Sequence, residues 1–80
     1  MAFNRISSNP KIYGGKPCIR GTRITVTMIL DLLEDGLAFE EIIKNYYPHI
    51  NVKDIQACLE YAKSVIDGEE VHFIKELAFA

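Results

Sequence analysis

The sequence predicts a mostly α-helical domain with a short β-hairpin at its N-terminal end. Two patterns support this: apolar residues recur at three- and four-residue spacing between positions 27 and 68, and an alternating pattern precedes them around Gly21-Thr22. The chain has 80 residues, of which 49% are hydrophobic and 25% charged, a composition typical of one small globular domain. We therefore expect a tri-helical domain of helix-turn-helix type behind a hairpin.

The hairpin is expected between Ile12 and Val26, where apolar and polar residues alternate on either side of a Gly21-Thr22 turn. Before it, we expect an extended arm that ends in turn chemistry at Pro10. The alternation places apolar side chains on one face of the hairpin. Arg20 and Arg23 lie on the other face and should project together.

The first helix is predicted from Thr27 to Asp35, with Thr25 or Thr27 as its cap and Gly36 at its end. It carries more apolar surface than a one-sided surface helix usually does. We expect it to face either the hairpin and the other helices together, or a second copy of the chain.

The second helix is predicted from Phe39 to Tyr46. The third begins at a capping-box pattern, Asn51 to Asp54, and ends at Asp67-Gly68. Its apolar stripe comprises Ile55, Cys58, Leu59, Ala62, Val65 and Ile66.

Two segments follow from this division: a domain over residues 1–68 and an apolar tail over residues 69–80. The pattern leaves open whether the tail is a strand or a helix. Its large apolar side chains need a surface to cover, so we expect them to contact a partner protein or a second copy. These residues are Val71, Phe73, Ile74, Leu77 and Phe79.

Charge is divided unevenly along the chain. Residues 1–30 contain five basic residues and no acid, a net of +5, whereas residues 31–80 contain eleven acids and four lysines, a net of −7. This division favours a polyanionic partner for the N-terminal part. The alternative is a hairpin whose basic residues only protect an exposed strand edge from pairing.

Two groups of residues are candidates for contacting DNA. The hairpin offers Lys16, Arg20 and Arg23, in line with Lys11 and Arg5. The start of the third helix offers Asn51, Lys53 and Gln56, placed as in a recognition helix. The same helix also bears acids that would repel phosphate, so the alternative for this second group is an ordinary solvated face.

Nothing in the sequence points to catalysis, a cofactor or a metal. Neither His49 nor His72 has a nucleophile or acid partner at a recognisable spacing, and the spacing of the cysteines and histidines matches no zinc pattern. Cys18 and Cys58 are expected to fill core positions rather than form a disulfide. No apolar run reaches membrane-spanning length, so a cytoplasmic protein without a membrane partner is expected.

One stretch resembles the signature of a known family. Residues 10–12 read PKI and residues 14–24 read GGKPCIRGTRI, and the similarity continues through DGL at 35–37, EEI at 40–42, YP at 47–48, DI at 54–55 and LEYA at 59–62. This pattern resembles the small bacterial family named domain of unknown function 433. The resemblance departs at Ala38, where the family often has Ser, and at residues 50–52, where Leu-Thr-Pro is common.

The resemblance implies a homeodomain-like or winged-helix-like fold. For many members it also implies the role of a VapB-type antitoxin, which neutralises a PIN-like ribonuclease toxin and binds its own promoter DNA. We therefore expect a non-enzymatic antitoxin, dimeric, with DNA and a PIN-like toxin as partners. The alternatives are a stand-alone dimeric DNA-binding regulator and a protein-interaction module without DNA binding.

Overall fold

The computed structural model describes residues 4–68, which form three helices and a two-stranded antiparallel sheet. Strand β1 is Ile6–Ser7 and strand β2 is Cys18–Ile19, with Ile6 paired to Ile19 and Ser7 to Cys18. The helices are α1 (Val26–Glu34), α2 (Phe39–Asn45) and α3 (Val52–Gly68). The predicted mostly helical fold with an N-terminal hairpin is confirmed.

The strand pairing differs in detail from the predicted hairpin. The Gly21-Thr22 turn is present, since the Thr22 amide donates to the Ile19 carbonyl at 3.0 Å, but the chain beyond it meets β2 only through an isolated bridge between Cys18 and Thr25. The main partner of β2 is instead β1, from the segment expected to be an extended arm. Residues Tyr13–Gly15, within the predicted strand region, form a short 3-10 turn.

Local capping explains where the helices begin. Thr25 caps α1, since its hydroxyl accepts from the Met28 amide at 3.0 Å. Ala38 precedes α2 without a side-chain cap, and the Glu41 carboxylate compensates by accepting from the Ala38 amide at 2.8 Å. The observed boundaries of α1 and α2 lie within one residue of those predicted.

The core is built largely from isoleucine. Helix α3 packs against α1, α2 and β1, and the buried side chains of all these elements meet in one cluster. Ile29, Ile42, Ile55 and Cys58 are fully buried at its centre. The cluster is completed by Ile6, Ile19, Ile24, Val26 and Ile50. Because Ile6 of β1 and Ile19 of β2 belong to the same cluster, the small sheet packs against the helices.

Candidate nucleic-acid interface

Two turns at the sheet end of the domain border an open groove of about 410 Å³. One turn follows Asn9 and the other contains Gly21 and Thr22. The groove is lined by Ser7, Asn9, Ile12, Cys18, Gly21, Thr22 and Arg23. The fold therefore brings together two parts of the basic segment that are about ten residues apart in the sequence.

Three basic side chains around these turns are exposed. Arg23 lines the groove, and Lys11 and Lys16 lie in the loop that precedes β2. Within residues 4–68, none of these three side chains makes a hydrogen bond or an ion pair. Since residues 1–30 contain no acid, their charges are not offset locally, and this end of the domain is suited to an anionic partner.

Arg20, by contrast, has a structural contact. Its guanidinium donates to the backbone carbonyls of Asn4 and Ile6, the latter at 3.3 Å. These bonds hold the chain at β1 against the end of β2. Arg20 is exposed, as predicted from the alternation, but its guanidinium is hydrogen-bonded to backbone carbonyls, whereas that of Arg23 makes no hydrogen bond within residues 4–68.

Arg5 joins the sheet to the third helix. Its Nη1 lies 2.9 Å from Oδ1 of Asp54 in the first turn of α3. The Asp54 side chain is only 13% exposed, so this ion pair is partly protected from solvent. The pair neutralises one of the five basic residues of the N-terminal segment and places β1 beside the start of α3.

The start of α3 brings the other predicted contact residues to the surface. Asn51, Lys53 and Gln56 are all exposed. Asn51 is also the helix cap, because its Oδ1 accepts from the Asp54 amide at 3.1 Å. Since Asp54 already occupies the positive end of this helix, phosphate is better received at the sheet end of the domain.

The five apolar residues predicted to contact a partner lie outside the described residues. The helix that leads to them does expose apolar surface. The face of α3 that is fully buried at Ile55 and Cys58 continues to Val65 and Ile66, which are 43% and 60% exposed. The core-facing side of α3 therefore extends past the helices that cover its first half.

Within residues 4–68, the candidate metal ligands do not cluster and the Cys58 thiol is buried. No group of three or more His, Cys, Asp or Glu side chains comes together within residues 4–68. Burial, reinforced by the charge of Asp54, raises the pKa of the Cys58 thiol to about 12, which makes it a poor nucleophile at neutral pH. No helix in this part of the chain combines the length and apolarity needed to span a bilayer.

Comparison with known proteins identifies the family. A family model described as "Protein of unknown function (DUF433)" matches residues 6–62. The chain belongs to this family. It is also similar to the crystal structure of a DUF433 member protein from Anabaena variabilis ATCC 29413, with a TM-score of 0.68 and 28% identity over 94% of this chain and 69% of the other. No curated protein matches the chain.

Sequence reasoning missed one residue of this surface. Tyr13 lies in the loop between Lys11 and Lys16, is 51% exposed and has a φ of +50°. The available signal was an aromatic residue between two lysines, directly before two glycines.

Proposed function

We propose that this DUF433 protein is a DNA-binding antitoxin that grips the phosphate backbone with the sheet end of its domain and binds a ribonuclease toxin with the opposite end of α3. The observation that carries the DNA-binding part is the groove between the two turns, which Arg23 lines, with Lys11 and Lys16 exposed in the adjoining loop. Within residues 4–68 none of these three side chains is paired, and residues 1–30 contain no acid. Such a surface gains affinity mainly by releasing counterions from phosphates.

The contacts of the basic side chains distinguish two roles within this surface. Arg23, Lys11 and Lys16 supply phosphate contacts, while Arg20 holds β1 in place for them. Lys53 and Gln56 at the start of α3 are a second, weaker contact, because Asp54 lies beside them. Binding should therefore depend strongly on salt and only modestly on base sequence at each Lys or Arg contact.

The toxin-binding part rests on α3 and on the family resemblance. Val65 and Ile66 are exposed near the end of α3 and precede the apolar residues of the tail in the sequence, so they are suited to contact a protein partner. Residues 31–80, with a net charge of −7, complement the basic surface that an RNA-cleaving enzyme needs for its substrate. A second copy of the chain is the other partner that this apolar surface suits.

The test of DNA binding is fluorescence anisotropy on the DNA upstream of the protein's own gene, over a salt series and beside a scrambled duplex. The double variant K16A/R23A should weaken binding to both duplexes and lower the slope of log affinity against log salt by about 1.8, since each phosphate contact contributes about 0.9. The double variant K44A/K63A is the matched control, because it also removes two positive charges, from exposed sites in α2 and α3. An unchanged slope in the double variant would reject the groove as the phosphate-binding surface.

The test of the partner surface uses the full chain with Ile66→Lys. We expect this variant to lose co-purification with a co-expressed PIN-like ribonuclease while keeping its affinity for DNA. Val52→Lys is the control, since Val52 is 40% exposed at the other end of the same helix. Equal toxin binding by both variants would exclude this end of α3 as the toxin-binding site.

A further inference from the structure

The loop between Lys11 and Lys16 holds a tyrosine in an unusual backbone conformation. Tyr13 has a φ of +50°, and Gly14 and Gly15 follow at +65° and +93°. Glycine adopts these angles without strain, but a bulky side chain in the left-handed region is a genuine outlier. A residue of this kind persists only where the surrounding structure fixes it, and such outliers concentrate at binding sites.

Hydrogen bonds within the loop fix this conformation. Oδ1 of Asn9 accepts from the Lys11 amide at 2.9 Å, and the Asn9 carbonyl accepts from the Ile12 amide at 2.8 Å. Farther along, the Gly15 amide donates to the Ile12 carbonyl at 3.0 Å, and the Ser8 hydroxyl donates to the Gly15 carbonyl. The position of the tyrosine is therefore set before any partner arrives, which reduces the entropic cost of binding.

Packing within the domain does not account for this tyrosine. Its side chain is 51% exposed and lies outside the core cluster, and its hydroxyl makes no hydrogen bond in the described part of the chain. The side chains of Lys11 and Lys16, two residues before and three after it, are exposed and unpaired within residues 4–68. The loop thus exposes one aromatic ring that lies, in sequence order, between two exposed lysines.

We propose that Tyr13 packs its ring against a nucleobase of the bound DNA while Lys11 and Lys16 contact the flanking phosphates. An aromatic ring between cationic side chains matches the chemistry of a nucleic acid, which alternates flat π-faces with anionic groups. On a duplex, the ring enters the minor groove of the DNA as a wedge at one base step and partly unstacks that step. This inference rests on the proposed DNA-binding function and adds a contact that does not depend on charge.

The experiment compares Tyr13→Asn, Tyr13→Phe and Tyr46→Asn in the full chain, by anisotropy on the upstream duplex over a salt series. Asn tolerates the left-handed conformation, so the first variant removes the ring without disturbing the loop. Phe keeps the ring and removes only the hydroxyl. Tyr46 is the matched control because it is also 51% exposed but lies at the end of α2.

We expect Tyr13→Asn to weaken binding about 5- to 150-fold at every salt concentration, with an unchanged salt slope and an unchanged or higher melting temperature. Tyr13→Phe and Tyr46→Asn should bind within about twofold of the wild type. If the wild type binds and Tyr13→Asn binds equally well, or if Tyr13→Phe loses as much affinity as Tyr13→Asn, the inference is overturned and the proposed function stands. If the wild type binds no DNA at low salt, the proposed function itself fails.

Discussion

Replacing Asp54 should loosen the attachment of the sheet to the third helix. The Asp54 carboxylate makes two contacts with different parts of the chain: Oδ1 pairs with Arg5 at 2.9 Å, and Oδ2 accepts from the Asn51 amide at 3.0 Å. It also lies in the first turn of α3, where the helix dipole favours negative charge. Asp54→Ala removes all three interactions at once.

The expected cost follows from these three contributions. The ion pair joins a 41% exposed arginine side chain to a 13% exposed carboxylate, so it contributes about 0.5–1 kcal/mol. The capping bond to the Asn51 amide adds about 0.5–1 kcal/mol, and the dipole term about 0.3–1 kcal/mol. Asp54→Ala should therefore lower the free energy of unfolding by about 2 kcal/mol, or the melting temperature by about 8–16 °C in a domain of this size.

Urea unfolding followed by circular dichroism at 222 nm measures this cost. Asp67→Ala is the control: it removes the same residue type from the last turn of α3, where the helix dipole disfavours an acid, so stability should stay equal or rise slightly. A double-mutant cycle of Asp54→Ala with Arg5→Met isolates the ion pair, with an expected coupling of about 0.5–1 kcal/mol. A coupling below about 0.3 kcal/mol would refute the argument that this pair fixes β1 on α3.

A substitution at Asp54 that lowers stability should raise the affinity for DNA. Asp54→Asn removes a negative charge and releases Arg5 into a segment without other acids. If the released guanidinium contacts a phosphate, affinity for DNA rises and the salt slope steepens by about 0.9. A variant that is less stable and yet binds DNA more tightly separates the structural role of Asp54 from its electrostatic one.

Three further predictions concern the core, one turn and one thiol. Ile42→Ala should cost about 2–5 kcal/mol and Ile42→Val about 1 kcal/mol in urea unfolding, because this side chain is fully buried; a cost below 1 kcal/mol for the alanine would contradict the packing. Gly21→Ala should cost about 1 kcal/mol and Gly21→Asn less, since φ is +80° and an added Cβ meets nothing within 4 Å. The Cys58 thiol should resist iodoacetamide at pH 9 until the chain unfolds, because its folded pKa of about 12 exceeds the unfolded value of 9.0. Its contribution to stability is therefore full below pH 9 and falls between pH 9 and 12. Urea titrations at several pH values would detect this fall.

The helices could be predicted closely because their determinants are local. Thr25, Asn51 and Gly36 lie at the ends of apolar stripes with helical spacing, and each acts within a few residues of the chain. The pairing of β2 could not be predicted in the same way. Two short apolar segments, around Ile6 and around Ile24, both bond to β2, one on each edge. The pairing with β1 is supported by the Arg20 contacts and by packing against α3, which act between residues far apart in the sequence.

The candidate interface was visible in the sequence as a division of charge, but not in its details. Sequence order alone does not reveal that Arg5 pairs with a residue 49 positions away or that Arg20 is bound to backbone carbonyls. Those contacts exist only once the fold has formed, and they leave Lys11, Lys16 and Arg23 as the basic side chains of residues 4–30 that have no partner in the described part of the chain. The left-handed conformation of Tyr13 is likewise set by its neighbours, since tyrosine has no intrinsic preference for it.

The packing of β1 against α3 has a consequence for how the protein is made. A ribosome synthesises β1 before the helix it packs against, because α3 is the last element within residues 4–68. Until α3 leaves the exit tunnel, Ile6 and the rest of the isoleucine cluster have no completed surface to cover them. Folding should therefore finish only after α3 has been translated, and nascent chains stalled before residue 58 should expose an apolar surface that chaperones recognise.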